Sequence, residues 1–268
     1  DIDISIIEVS SFQLELLREV EFDLGLLLNI EEDHIDRHLN FENYKKIKYS
    51  VLENSTFNIS FDSKNPFKKD FRNFKDINLP MDLIDSDIFK KWPSHDKDNL
   101  KASLAVLDCY FENFTSLSFR DFNSTNKLET AFDNFIKPSH RFEFIGNIKG
   151  VNFINDSKAT NIDAMLKAIQ AANEIKQTKD IYLICGGDLK NQNITSANLT
   201  EVQKIKNAII FGKDKEIVFK SINKFTKCNL VSDLKEAVAH AFKISSSGDY
   251  IMLSPACSSL DMYKDYKE

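Results

Sequence analysis

Residues 151–161 read VNFINDSKATN, an apolar run that ends in a polar loop, and this order recurs along the C-terminal half of the chain. Similar apolar runs occupy residues 180–185, 208–211, 229–231 and 250–253, and helical patterns lie between the runs at 161–172, 197–206, 215–223 and 233–244. Short apolar strands that alternate with single helices are typical of a parallel sheet covered on both faces. The pattern predicts a doubly wound α/β domain.

The N-terminal half is also mixed, with strands predicted at 4–9, 24–30 and 57–61 and helices at 41–52 and 99–111. Pro138 disfavours helix in the residue before it, and the apolar periodicity restarts after it. We therefore predict two domains, residues 1–137 and 138–268. Residues 62–98 have no pattern that places their elements.

Composition excludes several classes of protein. The 268 residues contain 35 Lys and Arg against 41 Asp and Glu, a net charge of −6, and the two signs are interleaved, so a broad nucleic-acid-binding face is not expected. The longest apolar runs fall far short of the ~18–20 residues that cross a bilayer, so we expect no membrane span. The 4 cysteines have no paired short spacing of the zinc or redox kind, which favours a reducing cytoplasm. We also expect a monomer.

Four polar loops follow the predicted C-terminal strands: residues 155–161 (NDSKATN), 186–190 (GGDLK), 212–213 (GK) and 254–259 (SPACSS). Ligands of a doubly wound sheet bind beyond the carboxyl ends of its strands, and three of these loops contain lysine, which points to an anion site. The alternative is that the polar residues cap helices and the lysines are solvated. Cys257 near a helix start could be nucleophilic, but no base is assigned to it and a small buried cysteine is commoner.

Acidic loops in the first half could hold a hard cation. Glu8 closes the first predicted strand, and residues 31–38 (EEDHIDRH) follow the second. Carboxylates suit magnesium and a histidine can join them, although a solvated acidic loop explains the same residues. The chain contains no G-x-x-x-x-G-K-S/T phosphate loop, no G-x-G-x-x-G fingerprint and no G-x-S-x-G elbow.

Several stretches occur in an order that one family shares. They are residues 8–15 (EVSSFQLE), 32–37 (EDHIDR), Tyr44 with Lys48, 140–143 (HRFE), and the loops at 155–161, 186–190 and 254–261. Together they resemble the Mur ligases of peptidoglycan synthesis, and the first and last of the C-terminal loops resemble the branch that adds D-glutamate. The resemblance implies a central ATPase domain, shortened on its N-terminal side, followed by a Rossmann-like ligase domain.

The resemblance also implies a reaction and its residues. ATP would convert the carboxylate of UDP-N-acetylmuramoyl-L-alanine to an acyl phosphate, which the amine of D-glutamate would attack. The catalytic residues and magnesium ligands would be Glu8, His34 and Lys48, the last as a carbamate. ATP would be contacted by Asp96 and Asn99 near its adenine, by Arg141 at its phosphates and by Asp156 at its ribose. D-glutamate would be contacted by Lys158, Thr160, Lys190, Ser259 and Tyr266.

The chain departs from the family pattern in two respects. Asp96 stands where the family usually has Asn, which replaces an amide donor with an acceptor. The sequence starts at Asp1 without the uridine-nucleotide domain and phosphate loop that precede Glu8 in the family, so we expect no turnover by these residues alone. A non-catalytic module that keeps the D-glutamate or nucleotide edge, and a sister ligase for L-lysine or diaminopimelate, are the alternatives.

Overall fold

The computed structural model describes residues 4–62, 65–67, 70–73, 77, 79, 81–119, 127–175, 180–194, 197–265 and 267–268. The chain divides into two compact units, Asp1–Phe135 and Ile136–Glu268. The division predicted from the sequence, after residue 137, falls at the start of the second unit. Among the described residues, no helix combines the length and the apolar character that a membrane crossing requires.

The N-terminal unit contains a parallel three-stranded sheet in the order β1-β2-β3. Its strands are β1 Phe22–Leu27, β2 Ser55–Ser60 and β3 Asp70–Asn73. Its described helices are α1 Ser11–Leu16, α2 Ile35–His38, α3 Phe41–Glu53, α4 Met81–Asp85, α5 Asp87–Lys91, α6 Ser94–Phe114 and α7 Lys127–Asp133. The strands predicted at 24–30 and 57–61 and the helices predicted at 41–52 and 99–111 correspond to β1, β2, α3 and α6.

The core of this unit follows from helical spacing. Ala102, Ala105 and Cys109 recur at intervals of three and four along α6, so they share one face, and that face packs on Ile59 of β2. Leu52 of α3 is fully buried and packs with Leu27 of β1 in a second cluster. The central strand β2 therefore contacts α3, which precedes it in the sequence, and α6, which follows it.

The prediction of a strand at residues 4–9 is wrong. The described residues 4–10 form no strand, and the side chains of Ile4, Ile6 and Ile7 are 55%, 95% and 65% exposed. An apolar, β-prone run becomes a strand only where a neighbouring strand accepts its hydrogen bonds. Glu8 thus leads into the capping residue of α1 rather than closing a strand.

The C-terminal unit contains a six-stranded sheet in the order β4-β5-β9-β6-β7-β8. The strands are β4 Glu143–Ile148, β5 Val151–Asn155, β6 Ile181–Gly186, β7 Asn207–Phe211, β8 Lys227–Leu230 and β9 Tyr250–Leu253. Only β4 and β5 pair antiparallel, and the other neighbouring pairs are parallel. The described α-helices are α8 Ile162–Ile175, α9 Lys215–Ile222 and α10 Leu234–Ile244.

Strand β6 is buried along its whole length, which explains its unbroken apolar sequence. Successive side chains point to opposite faces: Leu183 and Cys185 join a cluster with α8 and α9, whereas Tyr182 and Ile184 join a cluster with α10. The doubly wound α/β domain is therefore confirmed.

One predicted helix differs in type. Within the stretch predicted as helical at 197–206, the structure has a 3₁₀ helix, Leu199–Lys204. Its buried residues Leu199 and Val202, followed by buried Ile205, are spaced by three, which is the period of a 3₁₀ helix rather than of an α-helix. This part of the connection between β6 and β7 therefore buries one side chain per turn.

Candidate functional site

The loops after β6 and β9 are joined by backbone hydrogen bonds. The Asp188 N–H donates to the Ser258 carbonyl at 2.9 Å, and the Ser258 N–H donates back at 2.8 Å. Gly187 has a φ of +133°, and a Cβ there would lie 2.3 Å from the Ser258 carbonyl oxygen. The close approach of the two loops thus requires glycine, and it fixes the backbone next to Lys190 and Ser259, two residues that the family resemblance assigns to D-glutamate.

Lys190 has a φ of +50°, which non-glycine residues seldom adopt. Its N–H donates to Asp188 Oδ1 at 2.8 Å, so the carboxylate holds this turn. Asp188 Oδ2 lies 2.8 Å from the Lys213 ammonium, and hydrogen bonds from Lys213 and from the Lys190 N–H hold the pKa of Asp188 below its ordinary value. Two cationic side chains therefore lie at this part of the sheet edge.

Asp156 directly follows β5 and is buried at the carboxyl edge of the sheet. It is 9% exposed, its Oδ1 accepts the Phe142 N–H at 3.0 Å, and its Oδ2 accepts the Ser254 hydroxyl at 2.9 Å. Burial raises the pKa of Asp156 to about 6, although these hydrogen bonds and the charges of Lys137 and Arg141 oppose the rise. Asp156 therefore has a structural task beside the ribose contact that the resemblance implies.

The loop after β5 is tied to its neighbours through its backbone. The Lys158 N–H donates to the His140 carbonyl at 3.2 Å, and Lys158 is exposed. Buried Gln192, in the loop after β6, donates from Nε2 to the Thr160 carbonyl at 3.3 Å and accepts the Ile162 N–H at 3.2 Å. The loops that hold Thr160 and Lys190 are therefore connected.

The structure thus gathers the loops of Lys158, Thr160, Lys190 and Ser259 at the carboxyl edge of one sheet. Arg141 is exposed and precedes Phe142, whose N–H is bonded to Asp156. Tyr266 lies outside the described residues. The sequence reasoning missed Gln192 as a link between loops, although a polar residue two positions after Lys190 was the available signal.

Three residues of the N-terminal unit are assigned to magnesium by the family resemblance. Glu8 is exposed, and His34 is the residue before α2, with a φ of +53° and its N–H bonded to Asp33 Oδ1 at 2.8 Å. Lys48 is half-buried on α3; burial lowers its pKa, and the nearby charge of Glu8 opposes that change. Burial thus separates Lys48 from its exposed neighbour Lys46, a distinction that the sequence did not make.

The donor atoms of these residues suit magnesium when Lys48 is a carbamate. In the part of the chain that the structure describes, no group of three or more His, Cys, Asp or Glu side chains could hold a metal ion. Glu8 and His34 would supply one oxygen and one nitrogen donor, and an anionic oxygen on Lys48 would add a third, with water and phosphate oxygens in the other positions. A lysine must lose its proton before it forms a carbamate, and the lowered pKa of Lys48 favours that step.

A buried contact joins α1 to α2 beside these residues. Ser11 Oγ lies 3.0 Å from His38 Nε2, and both side chains are buried. Arg37 Nη2 lies 2.7 Å from Glu15 Oε2, and the Phe12 ring packs edge-on against His34 at 5.0 Å between ring centres. The helices that follow Glu8 and His34 are therefore fixed to each other.

The two residues assigned to adenine share one helix. Asp96 and Asn99 are three residues apart near the start of α6, so they lie on one face. Asp96 is half-buried, with Oδ1 at 3.4 Å from His95 Nε2, and Asn99 is exposed. Their contact with a nucleotide stays a prediction.

Comparison with known proteins relates both units to one family. Residues 1–75 match the Mur ligase middle domain, and residues 140–257 match the Mur ligase glutamate ligase domain. A UDP-N-acetylmuramoylalanine--D-glutamate ligase of Francisella philomiragia is 30% identical over 274 residues, and one of Alkaliphilus metalliredigens is 32% identical over 298 residues. Each alignment covers 99% of this chain and 62% of the relative, so the chain spans about three fifths of the length of these relatives.

Solved structures share the fold at low identity. Escherichia coli FolC in complex with DHPP and ADP has a TM-score of 0.60 and 13% identity, over 89% of this chain and 59% of that one. UDP-N-acetylmuramate-alanine ligase MurC of Thermotoga maritima has a TM-score of 0.57 and 13% identity, over 92% of this chain and 58% of that one. The chain belongs to the Mur ligase family: the match to the middle domain lies within the first unit, and the match to the glutamate ligase domain lies within the second.

Proposed function

We propose that this chain takes part in an ATP- and magnesium-dependent ligation that joins D-glutamate to UDP-N-acetylmuramoyl-L-alanine in peptidoglycan synthesis. The observation that carries the proposal is the backbone bridge between Asp188 and Ser258, because it joins the loops that hold Lys190 and Ser259. The match to relatives named as D-glutamate ligases supports the same substrate.

The chemistry of the edge suits an amino acid with two carboxylates. Lys158 and Lys190 offer two positive charges in a protein whose net charge is −6, and Thr160 and Ser259 offer hydroxyl donors. Charge-assisted hydrogen bonds to carboxylates are about twice as strong as neutral ones, so this set favours glutamate over a cationic amino acid. An L-lysine side chain would place its ammonium against these lysines.

The reaction needs activation because a carboxylate is a poor electrophile. Transfer of the γ-phosphoryl group of ATP to the carboxylate of UDP-N-acetylmuramoyl-L-alanine gives an acyl phosphate and ADP. The neutral amine of D-glutamate then attacks the carbonyl carbon, the C–O bond to phosphate breaks, and the nitrogen loses a proton as the amide forms.

The residues of this chain would position ATP and magnesium and neutralise the charge of the phosphates. Arg141, exposed at the edge, would contact the phosphates of ATP, and the face of α6 with Asp96 and Asn99 would lie near adenine. Glu8, His34 and Lys48 as a carbamate would hold magnesium, which when bound neutralises charge on phosphate oxygens. His34 is suited to this role because Asp33 and Phe12 fix its backbone and ring.

Isothermal titration of the chain with D-glutamate, L-glutamate, L-lysine and diaminopimelate tests the substrate. We expect D-glutamate to bind best, since mirror-image glutamate cannot present amine and carboxylates to the same three loops. Preference for L-lysine or diaminopimelate would refute the assignment and favour a sister ligase. Phosphate release that needs both D-glutamate and UDP-N-acetylmuramoyl-L-alanine would support the ligase over a binding module, and would contradict the expected lack of turnover.

A further inference from the structure

The loop after β7, Gly212-Lys213, is the one loop of the four at the sheet edge for which the family resemblance implies no ligand contact. Its lysine nevertheless touches the loops after β6 and β9. The Lys213 N–H donates to Asp261 Oδ2 at 2.8 Å, and its ammonium lies 2.8 Å from Asp188 Oδ2. Asp261 follows Ser259 by two residues, and Asp188 precedes Lys190 by two residues. Lys213 is therefore bonded close to Lys190 and Ser259, two of the residues assigned to D-glutamate.

The contact with Asp188 acts on the backbone of Lys190. One oxygen of the Asp188 carboxylate receives the Lys190 N–H and the other receives the Lys213 ammonium, so the carboxylate is held from both sides. Lys190 has a positive φ, a conformation that needs such external support in a residue with a side chain. Loss of the ammonium frees the carboxylate to turn away from this N–H.

The contact with Asp261 acts on the loop of Ser259. Asp261 Oδ2 accepts the Lys213 N–H, while its Oδ1 is buried without a hydrogen-bond partner among the described residues. Gly212 packs so closely on Gly187 that a Cβ on Gly212 would lie 2.5 Å from the Gly187 nitrogen. The three loops are therefore in contact, and Lys213 bonds to the loops after β6 and β9.

We propose that Lys213 is a positioning residue, which holds the loops after β6 and β9 at the separation that lets Lys190 and Ser259 bind one molecule of D-glutamate. This inference rests on the proposed function. Lys213 acts through Asp188 and Asp261 rather than through contact with the amino acid. Loss of the Lys213 ammonium removes the contact with Asp188, whereas the backbone N–H bond to Asp261 persists. Since an exposed ion pair contributes little to folding stability, the main consequence is a shift of the loop after β6 against the loop after β9.

The test is titration of the full chain with D-glutamate after Lys213→Met, with Lys206→Met as the matched control. Lys206 also forms an exposed ion pair, 2.9 Å from Asp180, but it precedes β7 and so lies at the other end of the strand. We expect Lys213→Met to weaken binding about tenfold, because small misplacements of binding groups are costly. Lys206→Met should change the Kd by less than about twofold, and neither variant should shift the urea midpoint.

Two further variants separate positioning from a general structural effect. Asp188→Asn keeps an oxygen for the Lys190 N–H but loses the charge that pairs with Lys213, so it should weaken binding as much as Lys213→Met, and the double variant should be no weaker than either single variant. Lys213→Arg should recover most of the affinity. Equal binding by wild type and Lys213→Met overturns this inference alone, whereas a wild-type chain that does not bind D-glutamate overturns the proposed function and the inference with it.

Discussion

Gly187→Ala should destabilise the protein and open the bridge between the loops after β6 and β9. At a φ of +133° a residue with a side chain is strained by about 1–3 kcal/mol. The new methyl group would lie 2.3 Å from the Ser258 carbonyl oxygen and 3.0 Å from Cys257 Cβ, so the loops must separate. Loss of the two backbone hydrogen bonds between Asp188 and Ser258 costs a further ~0.5–1.5 kcal/mol each.

The matched control is Gly146→Ala. Gly146 also has a φ in the glycine region, +153°, but a Cβ there meets nothing within 4 Å. Gly146→Ala therefore has the same kind of backbone strain as Gly187→Ala but no clash with neighbouring atoms. The difference in the free energy of unfolding between the two variants measures the contribution of the bridge between Asp188 and Ser258. We expect Gly187→Ala to lower the free energy of unfolding by about 2 kcal/mol more than Gly146→Ala does.

Urea denaturation followed by circular dichroism measures that difference. Hydrogen exchange read by mass spectrometry locates it, because the amides of Asp188 and Ser258 should lose protection in Gly187→Ala and keep it in Gly146→Ala. Equal destabilisation by the two substitutions, with unchanged protection of both amides, would refute the reasoning that close packing of these loops requires glycine.

Three further predictions follow from single contacts. Burial raises the pKa of Asp156 in the folded protein from 3.8 to about 6, so the folded state binds this proton more tightly than the unfolded state does. The free energy of unfolding should therefore fall by up to ~3 kcal/mol as the pH rises from about 4 to about 6. Urea midpoints measured against pH should show this fall in the wild type and not in Asp156→Asn, and a constant difference between the two proteins would contradict it. Gln192→Ala should weaken D-glutamate binding in titration while keeping the secondary structure, since it unties the Thr160 loop; unchanged affinity would contradict the link. Ser11→Ala should cost about 1 kcal/mol in urea denaturation, because it leaves buried His38 Nε2 without its partner, and a neutral result would argue against that contact.

The C-terminal fold could be predicted because its central strands are apolar at positions that face both sides of the sheet. Strand β6 is apolar at every position, so the sequence requires cover on two sides, and only a sheet between helices supplies it. The carboxyl ends of parallel strands meet at one edge, which is why the polar loops found by sequence lie together in the structure. The helix predicted at 197–206 is instead a 3₁₀ helix, and the spacing of Leu199, Val202 and Ile205 by three was the signal that the prediction did not use.

Other features depend on partners that a single segment does not specify. The run at residues 4–9 has the composition of a strand, but pairing depends on whether a neighbour is available, and none is present there among the described residues. Likewise Gly187 approaches Ser258, and Ser11 approaches His38, across long separations in sequence. The ligand roles of Glu8, His34 and Lys48 rest on the family resemblance, because carboxylate and lysine patterns alone fit a solvated surface equally well.

The central claim is that one molecule of D-glutamate is held by the loops after β5, β6 and β9. A crystal structure of the chain with D-glutamate tests it most directly. We predict that the two carboxylates lie within hydrogen-bonding distance of the ammonium groups of Lys158 and Lys190 and of the Ser259 hydroxyl. An amino acid bound elsewhere, with these three side chains away from it, would contradict the claim.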